Sequence, residues 1–230
     1  PRSQRAAMTT CDVGPARSAG ELREFRRLPR LLRGADPRWV EPLRTEQAWL
    51  LDRASHPFYI DGEGATAEFF LARDRRTGRA VGRVAAIVNE RYNHHRRESE
   101  AEAPTQGFFG FFDSIDSPEV AGALLESAAR WLRKRGAVEM IGPASPSQNY
   151  EYGILIEGHD RPHRYLLAYQ PRYYQRLFEC AGFEKAKDMV SVSLDIEDPV
   201  AWAATQRWID RLDAAHQSKE RPITVRPINM

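Results

Sequence analysis

The sequence predicts one α/β domain of the α+β kind, a mixed and mostly antiparallel central sheet flanked by helices. Three observations carry that prediction. AEFFLARD and AVGRVAAIVNE are strand-length apolar runs separated by Arg75-Arg76-Thr77-Gly78, a turn signal that makes them a hairpin. QGFFGFFDS has aromatics at positions of both parities, so the strand is covered on both faces and central in its sheet. SPEVAGALLESAARWLRKRG has the apolar spacing and end signals of a long helix.

Composition sets the outer bounds. The chain has 230 residues, room for one domain or somewhat more at about 100–200 residues each. Hydrophobic residues make up 42% and charged residues 29%, which fits a packed core and excludes disorder of the whole chain. The net charge of +2 sets 34 basic against 32 acidic side chains, so nothing general points to nucleic acid. The two cysteines, Cys11 and Cys180, are far apart and outside any metal-ligand spacing. A disulfide framework and a zinc site are therefore not expected, and a cytoplasmic, reducing location fits. No apolar run approaches the roughly 18 residues of a membrane span. PRSQRAAMTT lacks the apolar core of a signal peptide, and residues 1–17 read as a flexible tail.

The elements follow in order. In ELREFRRLPRLLR, Leu22, Phe25, Leu28 and Leu32 keep helical spacing, with a disturbance expected near Pro29 and the arginines on a solvated face. EPLRTEQAWLLD reads as a short helix with Pro42 in its first turn. After the hairpin, the polar segment from His94 to Pro104 reads as a surface loop. His94 and His95 have no carboxylate or cysteine at ligand spacing, so no metal site is expected. In QGFFGFFDS, simple alternation puts Phe108 with Phe112 on one face and Phe109 with Phe111 on the other. Ser117 then caps the long helix, Pro118 starts it and Gly136 ends it, with Val120, Leu124, Ser127, Ala128, Trp131 and Leu132 as the buried stripe. AVEMIGP is a further strand, PSQNYEYG a loop, PRYYQRLFECAGF a helix and FEKAKDMVSVSLD a final alternating strand. DPVAWAATQRWIDRLDAAH is one more helix. His56 and His163 stand in no diagnostic pattern and read as structural.

This order of elements, with LFECAGFEKAKD placing Phe178 ahead of Gly182-Phe183, resembles the GNAT superfamily of acyl-CoA-dependent N-acyltransferases. DPRWVEPL, HPF, VGRVAAIVN, GFFGFFDS, the segment from Gly142 to Gly153 and YQPRYYQRLFECAGFEKAKD are similar to strings of a bacterial GNAT-like family, over about residues 22–195. Members of that family look longer than this chain. The resemblance implies a GNAT-like domain over residues 18–197, a linker helix over 198–222, and a second, truncated GNAT-like domain beginning in PITVRPINM at 223–230.

The resemblance also implies a chemistry. Acyl-CoA or acetyl-CoA would be the co-substrate, its pantetheine between two splayed strands and its pyrophosphate on the N–H groups opening the long helix. That geometry nominates Phe112, Asp113, Ser114, Ser117 and Tyr173 as cofactor-binding. The turn itself, DSIDSPE, departs from the usual basic, glycine-rich pattern. It has no Gly, Arg or Lys, and Asp113 and Asp116 would repel a pyrophosphate, so help would have to come from Arg83 or the basic N-terminal helix. Phe178 stands where many GNAT enzymes carry the tyrosine that protonates the leaving thiolate. Tyr173 and Tyr174 could replace it, or could pack the core with one hydroxyl in water. In PSQNYEYG, Glu151 is the candidate base for a neutral amine and Asn149 the candidate for orienting it; the alternative is a loop whose polar groups satisfy its own backbone. The acceptor would be a small-molecule or lipid amine. GNAT-like bacterial ceramide synthases raise the case of a long-chain donor and a sphingoid amine, which no residue here selects. The competing function is a non-catalytic ligand-binding or regulatory domain with a degenerate CoA site. DNA binding has only Arg26 to Arg33 and WLRKRG behind it, without a helix-turn-helix pattern.

Overall fold

The computed structural model describes residues 10–60, 64–191 and 197–217. The chain divides into two compact units at Lys187/Asp188. In the first unit the elements run β1 (Cys11–Pro15), α1 (Ala19–Arg33), α2 (Arg44–Leu50), α3 (Pro57–Ile60), β2 (Ala65–Asp74), β3 (Ala80–Asn89), α4 (Glu90–Ser99), β4 (Gln106–Ser114), α5 (Pro118–Arg133), β5 (Glu139–Ile141), β6 (Ala144–Ser145), β7 (Glu151–Tyr152) and α6 (Tyr173–Cys180). The second unit contains α7 (Pro199–Gln217), where a helix was expected. The expected strand at 223–230 lies outside the described residues.

One five-stranded sheet organises the first unit, in the order β1-β2-β3-β4-β5. The first three pairings are antiparallel and β4–β5 is parallel. This is the mixed, mostly antiparallel sheet flanked by helices that the sequence predicted, and β4 lies inside it. Its two faces carry separate cores. On one, Phe70, Val84, Ala86 and Phe109 meet Val120, Leu124 and Leu132 of α5 and Tyr174, Leu177 and Phe178 of α6. On the other, Phe69, Leu71, Ala85 and Ile87 meet Phe25 and Leu28 of α1. Fully buried leucines such as Leu124 and Leu28 each stabilise the fold by about 1.5–3 kcal/mol.

Local chemistry explains the helix ends. Ser18 and Glu21 form a reciprocal capping box at the start of α1, which runs unbroken through Pro29. Ser117 Oγ accepts the Val120 N–H at 3.4 Å and Pro118 opens α5.

Four expectations need correction. The first is the tail at residues 1–17: Cys11–Pro15 forms an edge strand, paired from Cys11↔Asp74 to Pro15↔Phe70, with Cys11 and Val13 packed on the core. The second is the loop from His94, which is helical through Ser99. Asn89 caps α4 by accepting the Tyr92 N–H, and buried Asn93 bonds both the N–H (2.9 Å) and C=O (3.0 Å) of Gln106. The third is the final strand: residues 183–191 carry no strand, and 192–195 lie outside the described residues. The fourth is the phase of β4. Between Arg83↔Asp113 and Ala85↔Gly110, β3 has one residue and β4 has two, so Phe111 is the extra residue of a bulge, with φ +47°. Phe109 and Phe112 therefore share one face and Phe108 and Phe111 the other.

Candidate functional site

The site grows from the place where β4 and β5 part. They pair only over Gln106–Phe108 and Glu139–Ile141. The chain then crosses β4 at Gly110, where an added Cβ would sit 1.6 Å from the Ala144 carbonyl oxygen. It turns into a small hairpin, Ala144↔Tyr152 and Ser145↔Glu151. Ser145 Oγ accepts the Phe111 N–H at 2.8 Å, the group that the bulge releases from the β3 ladder. This hairpin is what positions Glu151.

Glu151 Oε1 accepts a hydrogen bond from Gln170 Nε2 at 3.0 Å. Gln170 is buried, and its own Oε1 accepts the Leu155 N–H at 3.1 Å, so its amide is fixed at both ends. Burial pushes the Glu151 carboxyl above its ordinary pKa, against the pull of the nearby Arg33 charge.

Behind Glu151 lies a buried ionic cluster centred on Asp113, which is fully buried. Arg83 Nε donates to Asp113 Oδ2 at 2.7 Å, Arg33 Nη2 stands 3.1 Å from Oδ1, and Tyr174 Oη donates to Oδ1 at 3.0 Å. Arg33 also donates to the Tyr169 carbonyl and Arg83 to the Phe25 carbonyl, both at 2.8 Å. Tyr174 Oη accepts the Ser114 N–H at 3.1 Å, while Tyr173 Oη donates to the Ser114 carbonyl at 2.8 Å. Burial, with Asp113 second, raises the Tyr174 pKa well above the usual phenol value and pushes Tyr173 up to about 12. A phenol so shifted is a weaker proton donor at neutral pH.

The nominated cofactor residues are thus in one neighbourhood, with most of their polar groups already engaged. Asp113 does not face an entering phosphate: Arg33, Arg83 and Tyr174 surround it, and Arg83 is itself spent there. Phe112 packs on Tyr174 and Phe178. Ser114 has both backbone groups bonded, and Ser117 Oγ caps α5 and donates to Glu119 at 2.7 Å. Both tyrosines pack on the core, as in the packing alternative, and each hydroxyl also has a protein partner. Asp116 at the helix start is paired with Arg176 of α6, a cation absent from the turn's own sequence.

Asn149 goes elsewhere. It is exposed and lines a cavity of about 260 Å³ with Phe58, Asn89, Tyr92, Phe108 and Gln148, whose lining does not include Glu151. His56 is buried among aromatic rings. Its Nδ1 accepts the Phe58 N–H at 3.1 Å, and the ring sits 4.0 Å from Trp49 and within 3.4 Å of the Tyr150 hydroxyl. His163 bridges Val40 and Leu167 through its ring nitrogens. Among the described residues no cluster of three or more His, Cys, Asp or Glu could hold a metal, and no helix is long and apolar enough to cross a membrane.

Sequence reasoning missed Arg33, Gln170, Ser145 and Arg176. Arg33 had a signal: it stands four residues from Pro29 and eight from Phe25, on the buried stripe of α1. The others are recruited by contacts distant in sequence.

No protein-family model matches the chain. It is 32% identical over 195 residues, 85% of its length, to "Bacterial ceramide synthase" of Caulobacter vibrioides, and 29% identical over 212 residues, 91% of its length, to "Protein YghO" of Escherichia coli. The chain spans about half the length of these curated relatives, 48% and 49%. Among solved structures, AAC(6')-Iy in complex with a bisubstrate analog overlaps 80% of this chain and 97% of its own, with a TM-score of 0.44 and 16% identity.

Proposed function

We propose, from the premise that this chain is a relative of a bacterial GNAT-like family, that it forms half of an acyltransferase moving an acyl group from acyl-CoA to an amine. The similarity to a bacterial ceramide synthase over 85% of the chain is the observation that carries this reading. It favours a lipid amine as acceptor; acyl-CoA or acetyl-CoA as donor and a cytoplasmic location belong to the same proposal. In the same reading the first unit, with β1 in its sheet, is one GNAT-like domain, residues 198–222 a linker and 223–230 the start of a second domain.

Glu151 is the proposed base. Its raised pKa brings it nearer the pH at which an ammonium must lose a proton, and Gln170 fixes one oxygen so that the other can face an amine. Asn149 would contact the acceptor only at a distance from Glu151, through the cavity it lines. Phe112, Ser114, Ser117 and Tyr173 would flank the CoA arm, and Tyr174 would act through Tyr173 and Ser114.

A second reading has an observation of its own. Tyr173, Tyr174 and Ser145 occupy backbone groups of β4 beyond its pairing with β5. That favours a half that supports a catalytic partner domain and binds no CoA itself.

Calorimetry with CoA and a long-chain acyl-CoA separates the two. If the phosphates sit at the start of α5, Asp116→Asn removes a like charge and releases Arg176, so CoA should bind several-fold tighter at low salt, with the gain shrinking as salt rises. Glu151→Gln should keep binding and lose turnover. Absence of binding by CoA and by the acyl-CoA alike supports the non-catalytic reading and rejects the first for this half.

A further inference from the structure

The last turn of α1 and two loops, one leading into α2 and one ahead of α6, put large apolar side chains into water. Leu31 is 68% exposed, Val40 57%, Leu43 70% and Tyr165 73%, and Leu166 and Leu167 are exposed next to Tyr165. Apolar residues scattered singly over a surface need no explanation, but a connected group does. Contacts distant in sequence connect these. His163 Nε2 donates to the Leu167 carbonyl at 2.9 Å, its Nδ1 accepts the Val40 N–H at 3.4 Å, and its backbone N–H donates to the Arg38 carbonyl at 2.9 Å. The Tyr165 hydroxyl donates to Glu46 of α2 at 2.6 Å, and Arg30, beside Leu31, stands 3.7 Å from Glu41. Leu166 sits in the left-handed region, φ +60°, which glycine adopts freely and leucine does not.

The charges around this surface are one-sided. Arg23 and Arg27 of α1, Arg44 at the start of α2, and Arg164 are exposed and form no ion pair among the described residues. Arg23, Arg27 and Leu31 are spaced by four and share one face of α1. The carboxylates of the first two segments are engaged: Glu41 by Arg30, Glu46 by Tyr165, and Asp36 by the Tyr169 hydroxyl at 3.0 Å. Glu157 and Asp160 are exposed and unpaired among the described residues, and Arg161 and Arg172, equally unpaired, answer them in number.

We propose that this face docks on an anionic lipid bilayer. Leu31, Leu43 and Leu166 enter the headgroup–acyl boundary, Tyr165 stays at the interface with its hydroxyl outward, and Arg23, Arg27, Arg44 and Arg164 meet lipid phosphates. Arginine suits the task, because its stem lies along apolar surface while its head stays at phosphate level. Apolar contact and charge are both needed, since either alone holds a protein to a membrane only marginally. The proposal stands apart from the acyl-transfer reading, and vesicles without donor or acceptor test it separately.

Sedimentation of the whole chain with phosphatidylcholine vesicles, with and without about 30% phosphatidylglycerol, is the assay. At low salt the anionic vesicles should bind about tenfold more tightly, with the preference shrinking as salt rises. Arg44→Gln and Arg164→Gln should each weaken binding about fivefold, the worth of one guanidinium near an anionic surface. Leu31→Gln combined with Leu43→Gln should weaken it about tenfold at every salt concentration, because apolar contact is not screened. Both leucines are exposed, so the thermal melt of that variant should match the parent's. No binding to the anionic vesicles overturns the proposal. So does binding that all these variants leave unchanged, which places the contact elsewhere on the chain. Self-association that the leucine variant abolishes, without vesicle binding, assigns the face to a protein partner and overturns it as well.

Discussion

Asp113→Asn is the sharpest test of how this domain is held together. The substitution keeps the shape of the side chain and removes its charge. Arg33 and Arg83, 8% and 6% exposed, then share a buried space without the carboxylate that answers both. Removing one partner of a buried ion pair costs about 3–5 kcal/mol, because the remaining charge stays desolvated. In a domain of this size each kcal/mol lowers Tm by about 2–4 °C, so the variant should melt about 6–20 °C below the parent. Urea unfolding followed by circular dichroism measures the loss directly, with an unchanged slope showing that the native state is otherwise intact. Tyr174→Phe deletes a donor to Asp113 and the acceptor of the Ser114 N–H, and should cost about 1–3 kcal/mol. The double variant should lose less than the sum, since both changes act on one network. A loss under about 1 kcal/mol for Asp113→Asn would refute the structural role. If CoA affinity fell at the same time, Asp113 would return to the cofactor site.

Other outcomes follow from single contacts. Gly110→Ala should fail to fold or lose more than about 4 kcal/mol, since its Cβ would strike the Ala144 carbonyl. Gly122→Ala, inside α5 with nothing within 4 Å, should gain about 0.5–1 kcal/mol in the same denaturation assay. The raised Glu151 pKa means the folded chain keeps a proton that the unfolded chain releases. That contribution to stability is complete below the usual glutamate pKa, about 4.3, and is lost as pH rises through the folded value. Glu151→Gln should therefore flatten the decline of stability over that interval, as read by urea unfolding at a series of pH values. If Glu151 is the base, turnover should rise through the same interval.

What could be read from the sequence was what neighbouring residues decide among themselves. The β2–β3 hairpin follows from two apolar runs and a Thr-Gly turn, and α5 from Ser117, Pro118 and an apolar stripe. The phase of β4 could not be read, because a bulge depends on how β3 pairs with it and the run of four phenylalanines fits either phase. The polarity of the segment after Asn89 hid α4, whose stability comes from Asn93 bonding a strand outside its own helix. Glu151 was legible as a carboxylate in a polar loop, but its tether to Gln170 was not. The cluster at Asp113 was hardest, since an acidic turn and a basic helix each look solvated until the fold brings them together.

The double clasp on Ser114 gives the domain a built-in timer. Its amide hydrogen is covered by the Tyr174 hydroxyl and its carbonyl by that of Tyr173, both carried on α6. Deuterium can replace that hydrogen only when α6 lifts from the end of β4, so the exchange rate at this one amide counts the openings. A ligand that must displace the tyrosines would speed exchange at Ser114 while slowing it at amides the ligand covers. A ligand that binds anywhere else would leave the count at Ser114 unchanged or lower.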